Sequence, residues 1–217
     1  MTTAIAIFMK TPGLSPIKTR LAAGIGAEKT LEFYSLCVGA VKATVGAVNA
    51  SVFCAVAEEE AVDSAVWNSS PVLYTGEGDL GERQHHIYST LLMDYDNVLL
   101  IGADTPQLSS SHLEAAIATL HYKDFVVGPA RDGGYYLFGG RVALDRSIWI
   151  SVPWSTSATL ERLEAALPST PRHLPMLTDA DRADDLKHVL SEMPSAPHER
   201  QRDVLEWIRR NTSLAVE

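Results

Sequence analysis

With 217 residues, 46% of them hydrophobic and 21% charged, the chain has the composition of a soluble globular protein with enough length to bury a large core. A formal net charge of −9 argues against a nucleic-acid surface, which needs clustered Lys and Arg to release counterions from phosphate. No apolar run approaches the ~20 residues of a membrane span, and Ala4–Met9 is too short, and lacks a preceding cationic region, for a signal-peptide core. These features predict a cytoplasmic protein, and the absence of linker-like or repeated segments predicts one domain over residues 1–217.

In chain order, short β-branched or apolar runs predict strands at Thr3–Phe8, Ser51–Ala57, Pro71–Thr75, Asn97–Gly102 and Asp124–Gly128. Several are continuous rather than alternating, which suits strands covered on both faces. Helical spacing separates them at Ala27–Val48, Glu58–Trp67, Asp79–Met93 and Ser109–His121, with Ser109 placed to cap the last. The βαβα rhythm predicts an α/β fold, a doubly wound and mainly parallel sheet with helices on both faces. Beyond Tyr135 the rhythm loosens. A strand is expected at Tyr135–Phe138, a helix at Thr156–Leu167, an extended piece at Arg172–Pro175, and closing helices at Asp181–Leu190 and His198–Arg210. A small antiparallel excursion toward the C-terminus fits this part better than another parallel unit.

Charge is unevenly spread. From Met1 to Ala27 there is no Asp or Glu, while Lys10, Lys18 and Arg20 make that stretch +3 inside an acidic protein. All three lie in or beside the loop Lys10–Arg20 that follows the first strand, where basic side chains and backbone amides could hold phosphates. Gly13, four residues, then Lys18-Thr19 imitates a P-loop, but the second glycine is missing and Pro12 and Pro16 remove amides the cradle would use.

The fourth strand, Val98–Ile101, runs through Gly102-Ala103 into Asp104-Thr105-Pro106. A carboxylate ending a buried strand must be solvated, paired or holding a metal, and ligands bind outside the carboxyl ends of strands in open α/β sheets. Capping of the next turn would explain Asp104 equally well. Gly76-Glu77-Gly78-Asp79-Leu80-Gly81 matches the dinucleotide fingerprint GxGxxG, yet it sits in the third βα unit and brings two carboxylates to where a pyrophosphate would lie. Gly128–Tyr136 offers paired glycines for close backbone approach, Asp132 as a fixed acceptor and two tyrosine faces. Thr178–Leu186 puts Asp179, Asp181, Asp184 and Asp185 at a helix start, where capping explains acids unless Asp181 converges on Asp104 to make a site of hard oxygens. Cys37 and Cys54 have no metal-like or redox spacing and read as buried thiols; His85-His86 shows no ligand spacing.

Together these segments resemble the glycosyltransferase-like members of the GT-A superfamily, the nucleotide-diphospho-sugar transferase fold, and within it a largely uncharacterised bacterial group. The resemblance spans Ala4 to Leu186. It rests on Lys10 with Lys18-Thr19-Arg20-Leu21, Gly78–Arg83, Ile101–Pro106, Gly128-Pro129 with Asp132–Tyr135, Val152–Ser157, and Asp179-Ala180-Asp181 with Asp185-Leu186. Ser15 and Pro16 depart from the family pattern, as do Arg182 and Ala183 in the last block. The resemblance implies a transferase that binds a nucleotide with Lys10, Pro12, Gly13, Lys18, Arg20, Asp79 and Gly81, and holds Mg²⁺ or Mn²⁺ with Asp104 and Asp181. It places Asp132, Gly133, Gly134, Tyr135, Trp154 and Ser155 on the sugar or acceptor, with Lys18, Asp104 and Asp132 as the catalytic candidates. The expected partners are a nucleotide or nucleotide sugar and a small, phosphorylated acceptor. Two rival readings stay open from the sequence: a catalytically silent nucleotide- or partner-binding protein, and a nicotinamide-dependent oxidoreductase using Gly76–Gly81.

Overall fold

The computed structural model describes residues 1–67 and 70–212. Among these residues seven strands form one sheet: β1 (Thr3–Met9), β2 (Ser51–Val56), β3 (Val72–Tyr74), β4 (Asn97–Gly102), β5 (Phe125–Pro129), β6 (Tyr135–Gly140) and β7 (Arg172–His173), in the order β3-β2-β1-β4-β6-β5-β7. β1, β2, β3 and β4 pair in parallel, β6 runs antiparallel to both β4 and β5, and β7 is parallel to β5. The fold is the doubly wound, mainly parallel sheet expected, and its antiparallel strand, β6, lies in the C-terminal part of the chain where the excursion was expected.

Eight α-helices accompany the sheet among the described residues: α1 (Thr19–Ile25), α2 (Ala27–Val45), α3 (Leu80–Leu91), α4 (Ser110–Thr119), α5 (Arg146–Ile150), α6 (Thr159–Ala166), α7 (Leu186–Glu192) and α8 (Glu199–Asn211). Ile5, Ile7, Leu99 and Ile101 pack on one face with α2 and α4, whereas Ala4, Ala6, Val98 and Leu100 pack on the other with α3, α5 and α6. That division is the strand period of 2 expressed in two cores, and it is why β1 and β4 read as continuous apolar runs. A third cluster ties α1, α2, α7 and α8 together through Leu21, Phe33, Leu186 and Trp207. No described helix is long and apolar enough to cross a membrane.

Three local expectations change. Glu58–Trp67 is two single turns of 3₁₀ helix, Glu59–Ala61 and Ala65–Trp67, because Glu58 turns inward to accept the Thr11 amide at 2.9 Å and the Trp67 indole donates to Thr11 Oγ1 at 3.1 Å. α1 and α5 form where no helical spacing is readable, each only one to two turns long. The closing helix expected from Asp181 starts at Leu186, preceded by a 3₁₀ turn at Ala183–Asp185, because Asp185 spends its carboxylate on the amides of Asp181 and Arg182.

The order reverses between β1 and β4: from β1 the chain moves outward to β2 and β3, then returns to lay β4 on the other side. The carboxyl ends of β1 and β4 therefore flank the switch point at which open α/β sheets bind ligands.

Candidate functional site

A cleft of about 1000 Å³ opens at this point. Its walls come from the end of β1 and the loop after it, from β2 and β4, from α3, from the β5–β6 turn, from the loop before α6 and from the segment before α7.

Lys18 is the best-fixed charge in it. Its side chain is 3% exposed, its Nζ lies 2.9 Å from Asp104 Oδ1, and it donates to the Ala180 carbonyl at 2.8 Å. Burial disfavours the ammonium, but Asp104 more than offsets this, so the Lys18 pKa is raised above the usual lysine value. Its backbone is left-handed, φ 41° and ψ 55°, an uncommon conformation for a side-chain-bearing residue. Arg20 pairs with Asp181 at 3.2 Å in the open part of the cleft, 56% and 39% exposed. Lys10 is pinned through its backbone: Tyr34 Oη accepts its amide and donates to its carbonyl, both at 2.9 Å, while Nζ donates to the Pro16 carbonyl.

The two aspartates are 77 residues apart in sequence, and main-chain contacts join them: Ala180 donates its amide to the Asp104 carbonyl at 3.1 Å. The segment carrying Asp181 is clamped by Glu192, which accepts from the Thr178 amide (2.7 Å), the Thr178 hydroxyl (2.8 Å), Gln107 (3.0 Å) and Arg131 (3.0 Å). Burial opposes ionisation of Glu192, but these donors prevail and its pKa is lowered. Asp179, beside them, accepts the Thr105 hydroxyl at 2.5 Å; burial, with Asp104 and Asp132 nearby, pushes its pKa up to about 7.

Asp132 lines the cleft from the β5–β6 turn, where its Oδ1 accepts the Gly134 amide at 2.9 Å. Gly133, at φ +90°, brings this turn against the loop before α6: a Cβ there would stand 2.1 Å from the Ser157 carbonyl oxygen. Ser155, Thr156 and Ser157 of that loop complete the wall.

Of the expected site residues, Lys10, Lys18, Arg20, Asp104, Asp132, Ser155 and Asp181 share the cleft. The others stand outside its lining. Asp79 caps α3, accepting the Glu82 amide at 3.0 Å while Glu82 accepts the Asp79 amide. Gly81 is a packing glycine, since a Cβ would lie 2.2 Å from the Trp154 Nε1 and 2.6 Å from the Trp149 carbonyl. The start of α3 is thus capped by its own carboxylates, Asp79 and Glu82. Trp154 donates to the Trp149 carbonyl at 2.8 Å, and Tyr135 donates to Gln84 Oε1 at 2.5 Å with its hydroxyl pKa raised by burial. Pro12 and Gly13 shape the first loop, Gly13 at φ +88°, without reaching the cleft surface. Cys37 and Cys54 are buried free thiols.

Arg83 and Tyr34 were missed. Arg83 lines the cleft with its guanidinium held by the carbonyls of Gly78 (3.1 Å) and Ala57 (2.9 Å) and by Thr75 Oγ1 (3.2 Å). A cation after the glycines of the third loop was the available signal, obscured by the acids around it.

The donor chemistry fits a hard divalent ion. Asp104 and Asp181 each use one carboxylate oxygen in an ion pair and present the other without a partner among the described residues, and oxygen donors are what Mg²⁺ and Mn²⁺ prefer. The described residues contain no cluster of three or more His, Cys, Asp or Glu side chains arranged for a metal.

Comparison with solved structures places the fold. The chain is similar to the protein of Desulfovibrio desulfuricans G20 described as a "putative nucleotide-diphospho-sugar transferase", with a TM-score of 0.81 and 25% identity over 97% of this chain and 99% of that one. A cytidylyltransferase from Leptospira borgpetersenii serovar Hardjo-bovis (strain JB197) shares the fold at a TM-score of 0.53 and 15% identity, covering 100% and 99% of the two chains. The 4-diphosphocytidyl-2C-methyl-D-erythritolsynthase of Anaerococcus prevotii DSM 20548 does so at 0.54 and 11%, covering 96% and 99%. No curated protein matches the sequence. A family model matches residues 40–156, more than half of the chain, and the protein belongs to that family, described as "Uncharacterized protein conserved in bacteria (DUF2064)".

Proposed function

We propose that the chain is a nucleotide-dependent transferase that moves a nucleotidyl or glycosyl group from a nucleoside triphosphate or nucleotide sugar to a small-molecule acceptor. The observation that carries this reading is the convergence of Lys18 with Asp104 and of Arg20 with Asp181 in one cleft at the sheet's switch point. Lys10, Lys18 and Arg20 bind phosphates, and Asp104 and Asp181 are the residues that would hold Mg²⁺ or Mn²⁺. The ion, when bound, would offset charge developing on phosphate oxygens. Lys18 supplies a fixed positive charge at no cost in reorganisation, because its burial and its two contacts already hold it in place. Asp132 stands free to accept a proton from the acceptor through Oδ2, its Oδ1 being held by Gly134.

A thermal-shift panel of nucleoside triphosphates and nucleotide sugars, with and without Mg²⁺, tests this, since a ligand that binds only the native state raises apparent stability. At least one nucleotide should raise Tm, and Mg²⁺ should enlarge the shift in wild type but not in Asp104→Asn. A panel without any shift, or full metal affinity and turnover in Asp104→Asn, overturns the reading.

A further inference from the structure

The four cations lining the cleft, Lys10, Lys18, Arg20 and Arg83, all come from the loop after β1, from α1 or from α3. The wall formed by the β5–β6 turn and the loop before α6 is different: it consists of Asp132 and the hydroxyl residues Ser155, Thr156 and Ser157, with no Lys or Arg. The neighbouring cation is diverted. Arg131 donates to Thr178 Oγ1 at 2.9 Å and to Glu192 at 3.0 Å and does not line the cleft. Thr156 spends its hydroxyl on the Pro153 carbonyl at 2.9 Å, whereas the Ser155 and Ser157 hydroxyls and Asp132 Oδ2 have no partner among the described residues.

Ser155 adds an independent sign. Its φ of 60° lies in the left-handed region where a glycine fits without strain, and apart from Lys18 it is the only non-glycine at positive φ among the described residues. Both strained residues line the cleft. Strain kept where glycine would relieve it points to a side chain retained for what it touches.

From this wall we infer that the molecule held beside the phosphates is neutral and rich in hydroxyls, a polyol or an unphosphorylated sugar, rather than the phosphorylated acceptor that the sequence suggests. This rests on the cleft being a transferase site. Serine hydroxyls and a carboxylate exchange hydrogen bonds with sugar hydroxyls, whereas a phosphate there would meet the Asp132 charge with no cation from the same wall.

Saturation-transfer NMR on the full chain, with glucose against glucose 1-phosphate and glycerol against glycerol 3-phosphate, tests the inference. The neutral member of at least one pair should bind, about tenfold or more tightly than its phosphate. Asp132→Asn should narrow that gap, and Ser155→Gly should weaken neutral binding while leaving Tm unchanged or raised, an effect opposite in sign to that of a purely structural serine. Tighter binding of the phosphorylated member, no binding of either, or neutral binding that survives Ser155→Gly overturns it. Failure of every nucleotide in the thermal-shift panel would instead remove the transferase reading itself, so the two failures are distinguishable.

Discussion

Two loops leave the carboxyl ends of parallel strands toward the same cleft, and they spend their residues in opposite ways. The loop after β1 is poor in glycine and carries two prolines, yet it delivers Lys10 and Lys18 to the cleft and leads into Arg20 at the start of α1. The loop after β3 has the glycines of a phosphate-binding motif, but Asp79 and Glu82 satisfy the start of α3 themselves and Gly81 exists to let Trp149 and Trp154 approach. Glycine spacing reports where backbone must pass closely. A ligand site needs, in addition, charged side chains that line the cleft, as Lys10, Lys18 and Arg20 do and Asp79 does not.

The sharpest way to break this contrast is Gly81→Ala, which should cost about 3 kcal/mol in chemical denaturation, because the new methyl meets an indole and a backbone carbonyl that cannot retreat. Lys18→Met comes next. Removing one partner of a buried pair typically costs more, but Asp104 is 39% exposed and can be rehydrated, so a loss of about 2 kcal/mol is expected, together with loss of nucleotide-dependent thermal shift.

Glu192→Gln should cost about 1 to 2 kcal/mol through weakened charge-assisted hydrogen bonds to the Asp181 segment. The folded-state pKa of Glu192 lies below its ordinary value of 4.5, so its contribution is present above that value and fades as the folded carboxylate protonates. Denaturation midpoints of wild type and variant should therefore converge as the pH falls below about 4.5.

Asp79→Ala should lose about 1 kcal/mol of helix-cap stability and leave nucleotide shifts intact. Arg20→Ala should do the reverse: at most about 0.5 kcal/mol in stability, since its pair with Asp181 is exposed, with nucleotide affinity clearly weakened. Equal effects of these last two variants on nucleotide binding would erase the distinction between the loops.

Much of the architecture was legible because it depends on local pattern. The continuous apolar runs at β1 and β4 mark strands buried on both faces, Ser109 does stand at the cap of α4, and the basic stretch before Glu28 needs no structure to be noticed. Glu58–Trp67 was misread because acids followed by spaced apolar residues look helical, until a buried contact with Thr11 draws Glu58 inward.

By itself, the sequence determined the α/β class, the order of strands along the chain and the residue types able to carry phosphate and metal chemistry, since periodicity and charge are properties of neighbours in the chain. Only the tertiary structure decided which of those residues meet. Asp181 reaches the neighbourhood of Asp104 through the Ala180 amide and the Glu192 clamp, and Gly81 is withdrawn into packing by Trp149 of α5 and Trp154 of the loop after it. Contacts between residues far apart in sequence depend on how the two cores close around the sheet, and no local pattern encodes that closure.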